Sequence, residues 1–283
     1  MRRILSTYIY RDQPLTSPLL AAIKQAGIDS VEIFCGTPHF SYRVPEAIRE
    51  LSGLLEEHGL ELHGLHAPTE RNFVAGRESG IPMSIADPER IRRIDAVDEV
   101  KRALDVAEVL PFRYFCQHLA TGRQDADPRR FEAAFSSLEH LILFAKQRGV
   151  TIALQNSANE LGSPASLHQF IKETRLDLRY CFDIGHAHID SDVAAGFELM
   201  RDRVVTTHIH DNHGERDEHL LPFQGTIDWD SALADFSRAS TALPLVFELK
   251  EQSPGVPSLD QIRTAFDKLE RHLDEKGVSS TQA

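Results

Sequence analysis

A single (β/α)8 barrel spanning residues 1–283 is the fold class that this sequence predicts. Three observations predict it. Eight short apolar, β-branched runs recur along the chain, each gap between them carries a helical pattern, and the length of 283 residues suits eight βα units, which typically take about 250. The rival is a doubly wound open sheet. It would want a glycine-rich phosphate turn after an early strand, and the chain has none.

The elements follow in order. Residues 4–9 (ILSTYI) read as the first strand, and Thr16-Ser17-Pro18 opens a helix over 17–27, with proline in the first turn where its missing N–H costs nothing. The second strand is 30–34 (SVEIF), the next helix 45–58, and the third strand 61–66 (ELHGLH). Asp87-Pro88-Glu89 starts a helix over 88–110, whose Val97, Val100, Leu104 and Ala107 share one face, ahead of a fourth strand at 112–118 (FRYFCQH). Asp127-Pro128 opens 128–148, with Leu138, Leu141, Ile142 and Ala145 on one face, and the fifth strand is 150–155 (VTIALQ). Helices at 164–175, 192–201, 229–239 and 258–274 then alternate with strands at 178–183 (LRYCFD), 204–210 (VVTTHIH) and 244–249 (PLVFEL). Gly27, Gly59 and Gly149 fall just past helix ends, as left-handed caps do.

Composition narrows the function classes. The chain has 31 Lys and Arg against 43 Asp and Glu, a net charge of −12, which disfavours a surface that must neutralise phosphates of nucleic acid. No apolar run approaches the roughly 20 residues of a membrane span, and Arg11 and Asp12 come too early for a secretory segment. Cys35, Cys116 and Cys181 are odd in number and lie in or beside strand-like runs, so buried, reduced thiols and a cytoplasmic location are expected. Histidine is the outlier, with 14 residues.

A barrel takes its chemistry from the C-terminal ends of its strands. Those ends carry Glu32, His66, His118, Gln155 with Asn156, Asp183, His208 with His210, and Glu248; the loops after the sixth and seventh strands add His186, His188, Asp211, His213, Arg216, Asp217 and His219. A lone histidine is more often a hydrogen-bonded structural group than a ligand, so His58, His140, His168 and His272 on helices, and His63, are set aside. Convergence of the remainder on one mouth favours a metal site, and a nitrogen and carboxylate donor set without thiolate suits Zn²⁺, Mn²⁺ or Fe²⁺ better than Mg²⁺ or Ca²⁺.

The motifs Asp183-Ile184-Gly185-His186, His208-Ile209-His210-Asp211-Asn212, Arg216-Asp217-Glu218-His219 and Gly225-Thr226-Ile227-Asp228-Trp229 resemble the xylose isomerase-like TIM-barrel superfamily, and His66-Ala67-Pro68, His118 and Phe247-Glu248 fall in its order. That superfamily holds sugar isomerases and epimerases, inosose dehydratase-like enzymes and endonuclease IV-type nucleases. The resemblance implies three metal positions of the nuclease kind: His66 and His118; Asp183, His208 and Glu248; and His186, Asp217 and His219. In the epimerases only the second of these binds metal, the position of His186 binds substrate, and an arginine about where Arg216 stands contacts the sugar. The His-x-x-Asp register selects His208 as ligand, with His210 the second choice.

The departure is Gln155, where the family has glutamate. An amide can offer a carbonyl oxygen to a metal but can neither bridge as an anion nor take a proton. Asp183 and Glu248 balance one divalent ion, Zn²⁺ or Mn²⁺, at Asp183, His208, Glu248 and Gln155, with a second ion near His186, Asp217 and His219 left open.

The implied activity is a metal-dependent isomerase or epimerase acting on a sugar or related polyol through a stabilised enediolate, with Glu248, Glu160 or a metal-bound water as the base and His186 and Arg216 on substrate. The alternatives are an endonuclease IV-like phosphodiesterase, opposed by the charge of −12 and by Gln155, or a metal-binding barrel that has lost its reaction. The loops Phe34–Val44 and Glu70–Ala86 are expected to set specificity, with His39, Phe40 and Tyr42 either lining a pocket or packing beneath the loop. Arg71 and Arg77 are too few for a DNA-reading surface, and a homodimer is compatible with the family.

Overall fold

The computed structural model describes residues 2–71, 81–119, 125–190, 192–239, 242–250 and 255–275. Eight parallel strands close into a barrel: β1 (Arg3–Ser6), β2 (Ser30–Phe34), β3 (Glu61–His66), β4 (Tyr114–Gln117), β5 (Thr151–Gln155), β6 (Arg179–Asp183), β7 (Val204–Ile209) and β8 (Leu245–Phe247). Neighbours in the barrel are neighbours in sequence, and β1 closes the ring by pairing with both β2 and β8. The helices are α1 (Ser17–Gln25), α2 (Pro45–His58), α3 (Arg90–Leu104), α4 (Pro128–Lys146), α5 (Pro164–Thr174), α6 (Ile184–Asp190), α7 (Val193–Met200), α8 (Trp229–Phe236) and α9 (Leu259–Glu275). A two-stranded ribbon, Glu70–Arg71 with Ile81–Pro82, leaves the third strand's loop. No helix among the described residues is long and apolar enough to cross a membrane.

The apolar faces read from the sequence are the buried ones. Val100 and Leu104 of α3 and Leu138, Leu141 and Ala145 of α4 are almost fully buried, and these helices pack on each other and on the barrel. Asp127 caps α4 by accepting from the Arg129 amide, and Gly59 closes α2 at φ +61°. Two local expectations change. The first apolar run stops as a strand at Ser6, and residues Thr7–Tyr10 turn into a 3₁₀ helix that keeps Thr7, Ile9 and Tyr10 buried. A helix at 184–190 follows β6 directly, where a loop was expected, because the Asp183 carboxylate accepts the His186 amide at 2.8 Å and so caps it.

Inside the barrel, Cys116, Ala153 and Cys181 form a layer of small residues, and all three cysteines are buried free thiols. The mouth lies immediately beyond this layer.

Candidate active site

Asp183 and His208 are register partners on the adjacent parallel strands β6 and β7, so their side chains leave on the same side, into the mouth. Gln155 arrives from β5, and its Nε2 donates to Asp183 Oδ2 at 2.9 Å. Glu248, one residue beyond β8, brings Oε2 to 3.2 Å from His208 Nδ1; that nitrogen lies 3.9 Å from Asp183 Oδ2. The other His208 nitrogen, Nε2, is 2.9 Å from Oε1 of Glu32, a buried carboxylate that also accepts from the Cys116 thiol. Glu32 therefore lies beneath the mouth, where it orients an imidazole.

A second group surrounds Asp217. Its Oδ1 is 3.4 Å from His186 Nε2 and 3.0 Å from His219 Nε2, while Lys250 Nζ lies 2.6 Å from Oδ2. His66 links the two groups with Nε2 3.8 Å from Glu248 Oε1, and the His118 ring stands 5.3 Å from that of His66. His210 reaches Asp183 Oδ1 with Nε2 at 3.0 Å and stacks on His219 at a ring separation of 3.9 Å. Gly185 makes room for it, since a Cβ there would overlap the His210 ring. The cavity above has a volume of about 390 Å³, and Tyr8, Arg11, Glu70, Asn159 and Lys250 line it together with the histidines, Asp217 and Glu248.

Charge in the mouth is tightly coupled. Burial opposes ionisation of Asp183, but His186 and His210 beside it hold its carboxyl well below the usual range. Glu248 is likewise held well below it, burial being outweighed by His208, His219 and His66. Burial and the neighbouring His66 and His186 push His118 down to about 3, and burial with His210 pushes His219 down to about 4. These carboxylates thus stay anionic, and against the effect of burial they raise the imidazoles of His186, beside Asp183 and Asp217, and of His208, beside Glu248 and Glu32, well above the ordinary range.

The donor set fits a divalent cation. Gln155 Oε1 is buried with no hydrogen-bond partner among the described residues, in the cluster where His208 Nδ1 faces the carboxylates of Glu248 and Asp183. An orphaned buried acceptor is costly unless something electropositive faces it. Zinc and manganese both accept such oxygen and imidazole donors.

The mouth thus gathers His66, His118, Gln155, Asp183, His186, His208, Asp217, His219 and Glu248, but not every residue the sequence nominated. Arg216 is exposed and absent from the cavity lining, so its expected contact with substrate has no counterpart in this geometry; Arg11 and Lys250 are the cations that line the cavity. Glu160 is exposed and also outside the lining. His39, Phe40 and Tyr42 pack beneath their loop: His39 bonds Gln13 O and Thr7 Oγ1, and the Tyr42 hydroxyl donates to Glu99. His63 joins Thr206 and Arg2, and His58 joins Ser17, both structural contacts. Residue 77 and the side chain of Arg71 lie outside the described residues. Lys250 escaped sequence reading, although its position two residues after Glu248 was an available signal.

The family model for the xylose isomerase-like TIM barrel matches residues 20–272. The chain belongs to that family. Among relatives, the uncharacterized protein y4fM of Sinorhizobium fredii is 29% identical over 231 residues, covering 74% of this chain and 73% of that protein. Among solved structures, a D-tagatose 3-epimerase-like protein superposes with a TM-score of 0.79 at 23% identity, over 99% of this chain and all (100%) of that one. The IOLI protein, solved with a bound zinc atom, gives a TM-score of 0.77 at 16% identity, over 99% of this chain and 100% of its own.

Proposed function

We propose that the protein is a divalent-metal-dependent isomerase or epimerase acting on a sugar or related polyol. One observation carries this reading: Gln155, Asp183 and His208 of β5, β6 and β7 and Glu248 just past β8 meet beneath a cavity of about 390 Å³, with the buried Gln155 Oε1 left unpaired. Those four residues would hold one Zn²⁺ or Mn²⁺, with His208 using Nδ1. A divalent ion there supplies Lewis acidity that lowers the cost of an enediolate. The epimerase-like and zinc-bound fold neighbours agree with the reading.

The chain's own residues then shape the reaction. Glu248 is the carboxylate at this site that lines the cavity, and it is the group assigned to take and return a proton beside the carbonyl. Gln155 cannot act as its counterpart on the opposite face. A one-base shift of a proton between adjacent carbons, as in aldose–ketose isomerisation, therefore suits the mouth better than two-base inversion. His66, His118 and His186 stand where hydroxyl groups of a substrate can be bound, and Tyr8 with Arg11 borders the outer wall.

The test is an assay of the metal-free, Zn²⁺-loaded and Mn²⁺-loaded protein on aldoses, ketoses and inososes in D₂O. Metal-dependent deuterium incorporation next to the carbonyl is expected; its absence with every metal and substrate would sink the proposal. The phosphodiesterase alternative keeps one support, that His186, Asp217 and His219 share the mouth with the other ligands. Cleavage of abasic duplex DNA at low salt would reverse the ranking.

A further inference from the structure

We infer that Lys250 is the built-in second cation of this mouth: its ammonium neutralises Asp217 from the side opposite His186, and so restricts the site to one divalent ion. The inference rests on the metal-binding reading above and concerns how many ions the mouth accepts.

His186, Asp217 and His219 make a two-imidazole, one-carboxylate set of the kind that holds zinc with a position open. Asp217 Oδ1 faces both imidazoles, at 3.4 Å and 3.0 Å. Its other oxygen is already engaged: Lys250 Nζ lies 2.6 Å from Oδ2 and 3.2 Å from the Asp217 carbonyl oxygen, and His219 Nε2, shared between the two oxygens, lies 3.1 Å from Oδ2. An ion on Oδ1 would sit within one carboxylate's width of a full positive charge. The lysine is also anchored. Its own amide donates to the His219 carbonyl at 3.4 Å, and the Tyr8 ring stands 6.0 Å from the ammonium.

Charge balance points the same way. In the inner set, Asp183 and Glu248 neutralise one divalent ion. In the outer set, the single negative charge of Asp217 is neutralised by Lys250, and Gln155 lends no anion between the two. A second divalent ion between the buried His186 and His219 would be left without a free carboxylate, whereas removing the ammonium returns Asp217 to it. A unit charge at such short range changes divalent affinity by on the order of a hundredfold.

The experiment is a Co²⁺ titration of the full-length metal-free chain, read by visible absorption and by metal counting after equilibrium dialysis. The wild type should bind one ion. Lys250→Met and Lys250→Gln should each bind two, and Lys250→Arg, which keeps the charge, should bind one. Fluorescence of Trp229, the chain's single tryptophan, on thermal unfolding identifies which variants are folded. Two ions in the wild type, or one ion in a folded uncharged variant, would overturn the role of Lys250 while leaving the metal site intact. No ion in the wild type would overturn the metal reading itself, and this inference with it.

Discussion

Glu32 and His208 form a pair closed to solvent: Glu32 Oε1 lies 2.9 Å from His208 Nε2, and both side chains have zero exposure. With that nitrogen committed, only Nδ1 is left to face Asp183 and Glu248. Carboxylates that hold the far nitrogen of a ligating histidine fix its tautomer and raise its basicity. Glu32→Gln is therefore expected to weaken divalent binding by about tenfold to a hundredfold without unfolding the barrel. Chelator competition measures this, and an unchanged affinity would mean that the ring is oriented by something else.

Gln155→Glu restores the family's carboxylate next to Asp183, which lies 2.9 Å from the present amide. The expected result is tighter divalent binding and a rise in any two-base activity, such as epimerisation at the carbon beside the carbonyl. Isothermal calorimetry and product stereochemistry report the two effects separately. If neither changes, the amide is not what limits the site.

Asp211 does structural work beside the mouth. Its Oδ2 accepts the Trp229 indole N–H at 2.8 Å, and its Oδ1 accepts the amides of Asn212 and Ile227 at 2.9 Å and 3.2 Å. Asp211→Ala strands three buried donors, so a loss of roughly 3 kcal/mol is expected, since each orphaned group costs about 1–3 kcal/mol and partial relaxation recovers some. Urea unfolding followed by Trp229 fluorescence gives the value. A loss below about 1 kcal/mol would show that the loop repairs itself.

Acid should destabilise the fold through buried histidines that do not line the cavity. Burial pushes His39 and His63 down to about 4 from an ordinary 6.5. Both are neutral in the folded protein, so below pH 6.5 the unfolded chain binds more protons, and stability falls as pH drops from 6.5 toward about 4. Each site contributes up to about 3 kcal/mol of that loss. The difference in unfolding free energy between wild type and His39→Gln, measured from about pH 7.5 to 4.5, should shrink with acidification, because the variant lacks one of these protonations. A difference independent of pH would rule His39 out.

Much of the barrel was legible because each element obeys its own period. Glu61–His66 is a strand over the very residues its apolar run marks, and Pro45–His58 a helix between a proline start and a glycine stop. The convergence of the candidate site residues is legible for a related reason: in a parallel barrel, strand ends converge whatever the helices do. The rest depended on relationships that no local pattern encodes. The helix at 184–190 is started by the carboxylate of Asp183, and its Gly185 hides the helical signal. Arg216 carried the expected charge, but its loop turns it outward, and Arg11 enters from a 3₁₀ turn that looked like more strand. Glu32 read as one more acid until a residue 176 positions away faced it.

Among its partners, Asp183 receives the Gln155 amide on one oxygen and, on the oxygen that also faces His210, the backbone amide that begins α6. The carboxylate proposed as a metal ligand is thus also the first peg of a helix, so occupancy of the mouth and order in residues 184–190 would share one anchor. The exchange rate of a single amide hydrogen, that of His186, then serves as a native gauge of whether the mouth is filled, readable with no substrate present.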